Sequence, residues 1–106
     1  MGFFNFIKGP DMEQGLQQCR SNSASVLIDV RTRAEYTEGH IPGSKNIPLQ
    51  EIQKIASAVP DHGTPIFVYC LSGARSRQAV SELRRMGYSQ VTNLGGINSY
   101  HGKVEK

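Results

Sequence analysis

The sequence predicts an α/β domain built on a mostly parallel sheet. Short apolar runs suited to buried strands stand at 26–30, 65–69 and 91–94. Between them lie stretches with apolar residues at helical spacing. Gly39, Pro60, the turn sequence Asp61–Pro65 and Gly87 punctuate these pieces. Strands alternating with helices of roughly ten residues indicate βαβ units. In such sheets, ligands sit beyond the carboxyl ends of strands.

The elements follow in order. Residues 11–21 read as a helix capped by Asp11, with Met12, Leu16 and Cys19 on one face. Val26–Val30 is a buried strand. Residues 32–38 form a short helix with Thr32 as N-cap, Glu35 at the capping-box position and Gly39 at its end. Lys45–Ile47 is a short strand candidate. Ile52, Ile55, Ala56 and Val59 mark a further amphipathic helix stopped by Pro60. Pro65–Tyr69 is the next strand. Arg75–Met86 is a helix whose inner face carries Ala79, Val80, Leu83 and Met86, with Gly87 beyond its end. Val91–Leu94 is the last strand, and a helical turn is expected after Gly95-Gly96.

At 106 residues, one domain spanning 1–106 is expected, with 1–10 as an N-terminal extension. Twelve Lys and Arg against nine Asp and Glu give a net charge of +3. That excess helps attract small anions and is too weak to argue for nucleic acid. The two cysteines, Cys19 and Cys70, are too few for a disulfide scaffold, and no Cys/His spacing suggests a metal. No cofactor is expected. The start, "MGFFNFIKGPD", is too short and lacks the basic start of a signal peptide, and Phe6 departs from the myristoylation motif. No run is long enough to span a membrane. Free thiols and these absences place the protein in the cytoplasm. "FFNFI" either docks on the domain or forms a self-association patch, docking being the preferred reading.

The chemistry gathers at "YCLSGARSR". Cys70 ends a buried strand, and a helix begins a few residues later. A thiol is a useful nucleophile only as thiolate, and free cysteine ionises near pH ~8.5. The partial positive charge of the helix N-terminus and the guanidinium of Arg75 both lower that value. Leu71, Ser72, Gly73 and Ala74 can curl with their N–H groups inward, as a nest for an anion or for a charged adduct on the sulfur. Cys70 is therefore read as a catalytic nucleophile, and the bland alternative is a small apolar residue ending a strand. Cys19 is read as a core thiol.

Three motifs in this chain, "VLIDVRTRAEYTEGHIPGSKNIPL", "IFVYCLSGARSRQAVSELRRMGY" and "VTNLGGINSY", resemble the single-domain rhodaneses over about residues 24–100. The resemblance implies a five-stranded, mostly parallel sheet with helices on both faces. It implies a thiosulfate sulfurtransferase that moves a sulfane sulfur from a small anionic donor to cyanide, a thiol or a protein acceptor. Cys70 would become a persulfide. Leu71, Ser72, Gly73, Ala74 and Arg75 would cradle it, with Arg75 binding the donor. A sulfur-carrying or protein-binding module with little free turnover is the alternative. Related phosphatases and arsenate reductases carry a Cys-x5-Arg loop, one residue longer than the Cys-x4-Arg found here.

Asp29 and Arg31 are supporting candidates at the end of the earlier strand. They orient the loop and add positive field, or they serve structure alone, with Arg31 paired to Glu35. The structural reading is preferred. Ser72 and Ser76 donate to the sulfur adduct or cap the helix, and capping is preferred for Ser76. His40 reads as structural, near helix C-terminal carbonyls. His62 and His101 read as solvated, as do Arg77, Arg84 and Arg85. Tyr100 stands where the family often has Trp and can fill the same packing role with a polar tip. A monomer is expected, with a dimer as the alternative.

Overall fold

The computed structural model describes residues 10–106; the expectation for "FFNFI" lies outside them. Helix α1, Met12–Arg20, starts where Asp11 accepts a hydrogen bond from the N–H of Gln14. Strand β1, Val26–Asp29, leads into α2, Arg33–Glu38. The α2 start carries a complete capping box: Thr32 accepts from the N–H of Glu35, and Glu35 accepts from the N–H of Thr32. Strand β2 is only Lys45–Asn46. A 3-10 stretch, Leu49–Lys54, then runs into α3, Ile55–Ala58. The expected amphipathic helix is therefore split between two geometries, with Glu51 in a non-helical conformation inside the first. Strand β3, Ile66–Cys70, precedes α4, Ala74–Arg85. Strand β4, Val91–Gly96, ends in a 3-10 turn, Ile97–Ser99, as the paired glycines predict.

The sheet order is β2-β1-β3-β4 and every pair is parallel. The resemblance implied five strands; the described residues form four, the same four runs read from the sequence. The chain after β4 adds no further strand. It makes a single antiparallel bridge between His40 and Glu105, whose backbones exchange two hydrogen bonds.

Alternation along β3 divides the core. Ile66, Val68 and Cys70 face a cluster with Ile55, Ala79, Val80 and Leu83, supplied by α3 and α4. Phe67 and Tyr69 face the other way, against Met12, Leu16 and Cys19 of α1. Helices thus cover both faces, and every residue of β3 is buried. Cys19 is a core thiol, as expected, and burial pushes its ionisation up, Arg20 offsetting part of that. Tyr100 is half-buried against the α1 cluster and donates its phenol hydroxyl to the carbonyl of Lys103 at 2.6 Å. No described helix is long and apolar enough to cross a membrane.

After β1 the chain passes to β2 on one side, and β3 pairs with β1 on the other. The carboxyl ends of β1 and β3 therefore flank a crevice where the winding direction reverses, the usual place for a ligand in such sheets.

Candidate active site

Cys70 closes β3 at this crevice, 1% exposed. The next three residues curl back, and the N–H of Gly73 donates to Sγ at 3.0 Å. Gly73 is the N-cap of α4 with φ +112°, a conformation that disfavours any side chain. The helix starts one residue earlier than the sequence suggested, so Ser76 falls inside its first turn and does not cap it. Its hydroxyl is fully buried 3.5 Å from Sγ. It also lies 2.9 Å from the Gly73 carbonyl, 2.8 Å from Asn93 Oδ1 and 3.4 Å from the Gly95 carbonyl. One hydroxyl hydrogen serves all of these acceptors, so ionisation of the thiol gives it a stronger one.

Burial alone would raise the thiol's ionisation. The hydroxyl and N–H of Ser76, with the N–H groups of Gly73 and Ser72, outweigh it, and Cys70 ionises below its ordinary value. Replacing Ser76 by alanine should slow alkylation of Cys70 by iodoacetamide about tenfold at neutral pH, the worth of one hydrogen bond to a charged group. An unchanged pH–rate profile would show that the backbone alone sets the thiolate.

The other predicted residues distribute unevenly around the sulfur. The Leu71 side chain is exposed, and its carbonyl accepts from the N–H of Asn98 at 3.2 Å. Ala74 opens the helix. The Arg75 guanidinium turns from the loop to Glu35, with bonds of 2.7 and 3.0 Å to its two carboxylate oxygens. That pairing holds the Glu35 carboxyl down at about 2. Arg31 pairs with Asp29, not with Glu35. Its Nε lies 3.1 and 3.0 Å from the two carboxylate oxygens, and Nη2 donates at 2.7 Å. The reason is reach: Asp29 also accepts from the N–H of Arg31 at 2.8 Å, so the turn after β1 folds the guanidinium onto it. Arg31 further donates to the carbonyl of Gly39 and lies over the ring of Tyr69, 5.8 Å from its centroid.

His40 stacks on Tyr36 at 3.7 Å with Nδ1 2.8 Å from the Tyr36 carbonyl, which is the structural placement expected of it. His62 is exposed and meets the Tyr88 ring edge-on. Among the described residues no three His, Cys, Asp or Glu side chains gather as a metal site. A groove of about 450 Å³ runs beside the loop, lined by Ser72, Gly73, Ala74, Arg77, Gly96 and Ser99 among others.

Sequence reasoning passed over Asn93 and the second role of Glu35. Asn93 Oδ1 accepts from the N–H of Gly95 at 2.8 Å as well as facing Ser76, and so ties β4 to the loop. A polar residue two places before paired glycines was the available signal. Glu35 was legible as a capping residue, but its pairing with Arg75, forty residues away, was not.

The rhodanese-like domain model matches residues 11–103. The chain belongs to the rhodanese-like domain family. Thiosulfate sulfurtransferase PspE of Escherichia coli is 46% identical over 76 residues, 71% of this chain and 73% of its own. A sulfurtransferase of Allochromatium vinosum is 38% identical over 95 residues, 87% of this chain and 88% of its own. A solved structure described as rhodanese with anions from E. coli superposes with a TM-score of 0.73 at 41% identity, covering 77% of this chain and 98% of that one. The rhodanese family expected from the three motifs is thereby established, and with it membership among the sulfurtransferases.

Proposed function

We propose that this rhodanese-like protein is a thiosulfate sulfurtransferase working through a persulfide on Cys70. The observation that carries the proposal is the Cys70 thiol, buried yet easier to ionise than an ordinary cysteine, with N–H groups of Ser72, Gly73 and Ser76 directed at its sulfur. A site that stabilises negative charge on one sulfur also suits the terminal sulfur of a persulfide anion.

In the first half-reaction the Cys70 thiolate attacks the outer sulfur of thiosulfate. The new Sγ–S bond forms, the donor S–S bond breaks, and its electron pair leaves on sulfite. In the second, a nucleophilic acceptor such as cyanide takes the outer sulfur as thiocyanate, and the pair returns to Sγ as thiolate. No general base is required, because the nucleophile is already ionised. Ser76 holds the sulfur, Asn93 and Gly95 hold Ser76, and the Asp29–Arg31 pair fixes the end of β1 beside them. The acceptor is a thiol or a protein in the cytoplasm, and the protein acts as a monomer without nucleic acid or membrane.

Incubation with thiosulfate followed by intact-mass measurement should show a gain of one sulfur atom, reversed by dithiothreitol and absent in Cys70→Ser. An absence of adduct across several sulfane donors would overturn the reading. A persulfide passed to a protein acceptor but never to cyanide would indicate a sulfur carrier instead.

A further inference from the structure

Two cations at the crevice are matched by carboxylates. Arg31 is 5% exposed and bound to Asp29, itself fully buried. Arg75, the residue expected to receive an anionic donor, has Nη1 and Nη2 both engaged by Glu35. Glu35 is held in turn: the same Oε1 that meets Arg75 accepts from the N–H of Thr32 at 2.9 Å, so the carboxylate is fixed by its helix as well as by the guanidinium. The pair joins the start of α2, which follows β1, to the start of α4, which follows β3, and so spans the crevice. Counting Asp29, Arg31, Glu35 and Arg75, the side chains around the ionised sulfur sum to zero. Arg77 lines the adjoining groove but is exposed, where its charge is largely screened. A dianion approaching this thiolate meets backbone N–H groups and little net positive charge.

We propose that Glu35 is a specificity-determining positioning residue that cancels and pins Arg75, turning the site away from dianionic donors and toward low-charge sulfane donors of the alkyl persulfide class. The proposal rests on Cys70 being the sulfur-accepting residue. With such a donor the thiolate attacks the outer sulfur of R–S–SH. The Sγ–S bond forms, the donor S–S bond breaks, and the pair leaves as R–S⁻, with Cys70 carrying S–SH. No charge beyond that of a single thiolate enters or leaves the crevice, so a free guanidinium is not needed. The Glu35 carboxyl, held at about 2, stays ionised at any working pH, and the latch does not open by titration.

Glu35→Gln is the decisive variant, because glutamine still satisfies the capping box while removing the charge. We expect the KM for thiosulfate to fall about tenfold with kcat nearly constant, and the KM for an alkyl persulfide to stay within about twofold. The gain should vanish in an Arg75→Gln background, since Glu35 acts through Arg75. A thiosulfate KM that is unchanged or raised in Glu35→Gln overturns the proposal, as does a gain that survives without Arg75. The wild-type protein supplies a second measurement that needs no sulfur transfer. Sulfate, an inert dianion, should protect Cys70 from iodoacetamide no better than nitrate at equal ionic strength, and Glu35→Gln should make sulfate the better protector. Preferential protection by sulfate in the wild type overturns the inference. Failure of persulfide formation with every donor would instead overturn the sulfurtransferase reading.

Discussion

Asp29→Ala should lower the unfolding free energy by about 3–5 kcal/mol, the cost of leaving a buried charge without its partner. The stranded group is Arg31, whose guanidinium is 5% exposed and makes its three side-chain contacts under 3.2 Å with Asp29 alone. Its one remaining strong bond is to the carbonyl of Gly39. The loss is a large share of what a domain of this size has to spare. Urea denaturation measures it, and Asp29→Asn should recover part of the loss by keeping the acceptor for the N–H of Arg31. Removing both members, as in Asp29→Leu with Arg31→Met, should cost far less than Asp29→Ala, because no unpaired charge remains. If Asp29→Ala is within about 1 kcal/mol of wild type, the pair behaves as a surface ion pair and the argument fails.

Gly96→Ala should damage the Cys70 loop directly. A Cβ at Gly96 would collide with the Leu71 carbonyl oxygen and stand 2.6 Å from the Cα of Ser72. Both are backbone atoms of the loop, so no side chain can swing aside. Overpacking of this kind costs about 1–3 kcal/mol, and the upper end applies where backbone must move. The melting temperature should fall by roughly 4–8 °C for each kcal/mol in a chain of this length. Sulfur transfer should fall about 10²-fold, since a displacement near 1 Å spoils alignment at a reacting atom. Gly43→Ala is the control. Its φ is also positive, at +89°, but nothing lies within 4 Å of the added carbon, so strain alone remains and transfer activity should persist.

Much of the fold was legible because its signals are local. The Thr32–Glu35 capping box and the alternation of Ile66 to Cys70 each depend on residues within a turn or a strand of one another. The loop was legible for the same reason, since Cys70, Gly73 and the start of α4 are adjacent in the chain. What escaped is what crosses the crevice. Arg75 could be seen to lie beside the sulfur, but not to be claimed by Glu35. Ser76 was assigned to capping because the helix was begun one residue late, at Arg75 rather than Ala74. Asn93 carried no local pattern at all; its meaning comes from β4 lying beside β3. The fifth strand was borrowed from the family rather than read in the residues, which themselves mark four.

The two sulfurs of this chain occupy opposite layers: Cys19 in the helix packed on one face of the sheet, Cys70 pointing into the other. A disulfide needs its Cα atoms within about 7 Å, and a sheet stands between these two. If an oxidant takes Cys70 to the sulfenic acid, no second thiol of the same folded chain can resolve it. Recovery must come from a small-molecule or partner thiol, and prolonged peroxide exposure should carry Cys70 on to the irreversible acids while Cys19, protonated and enclosed, stays reduced.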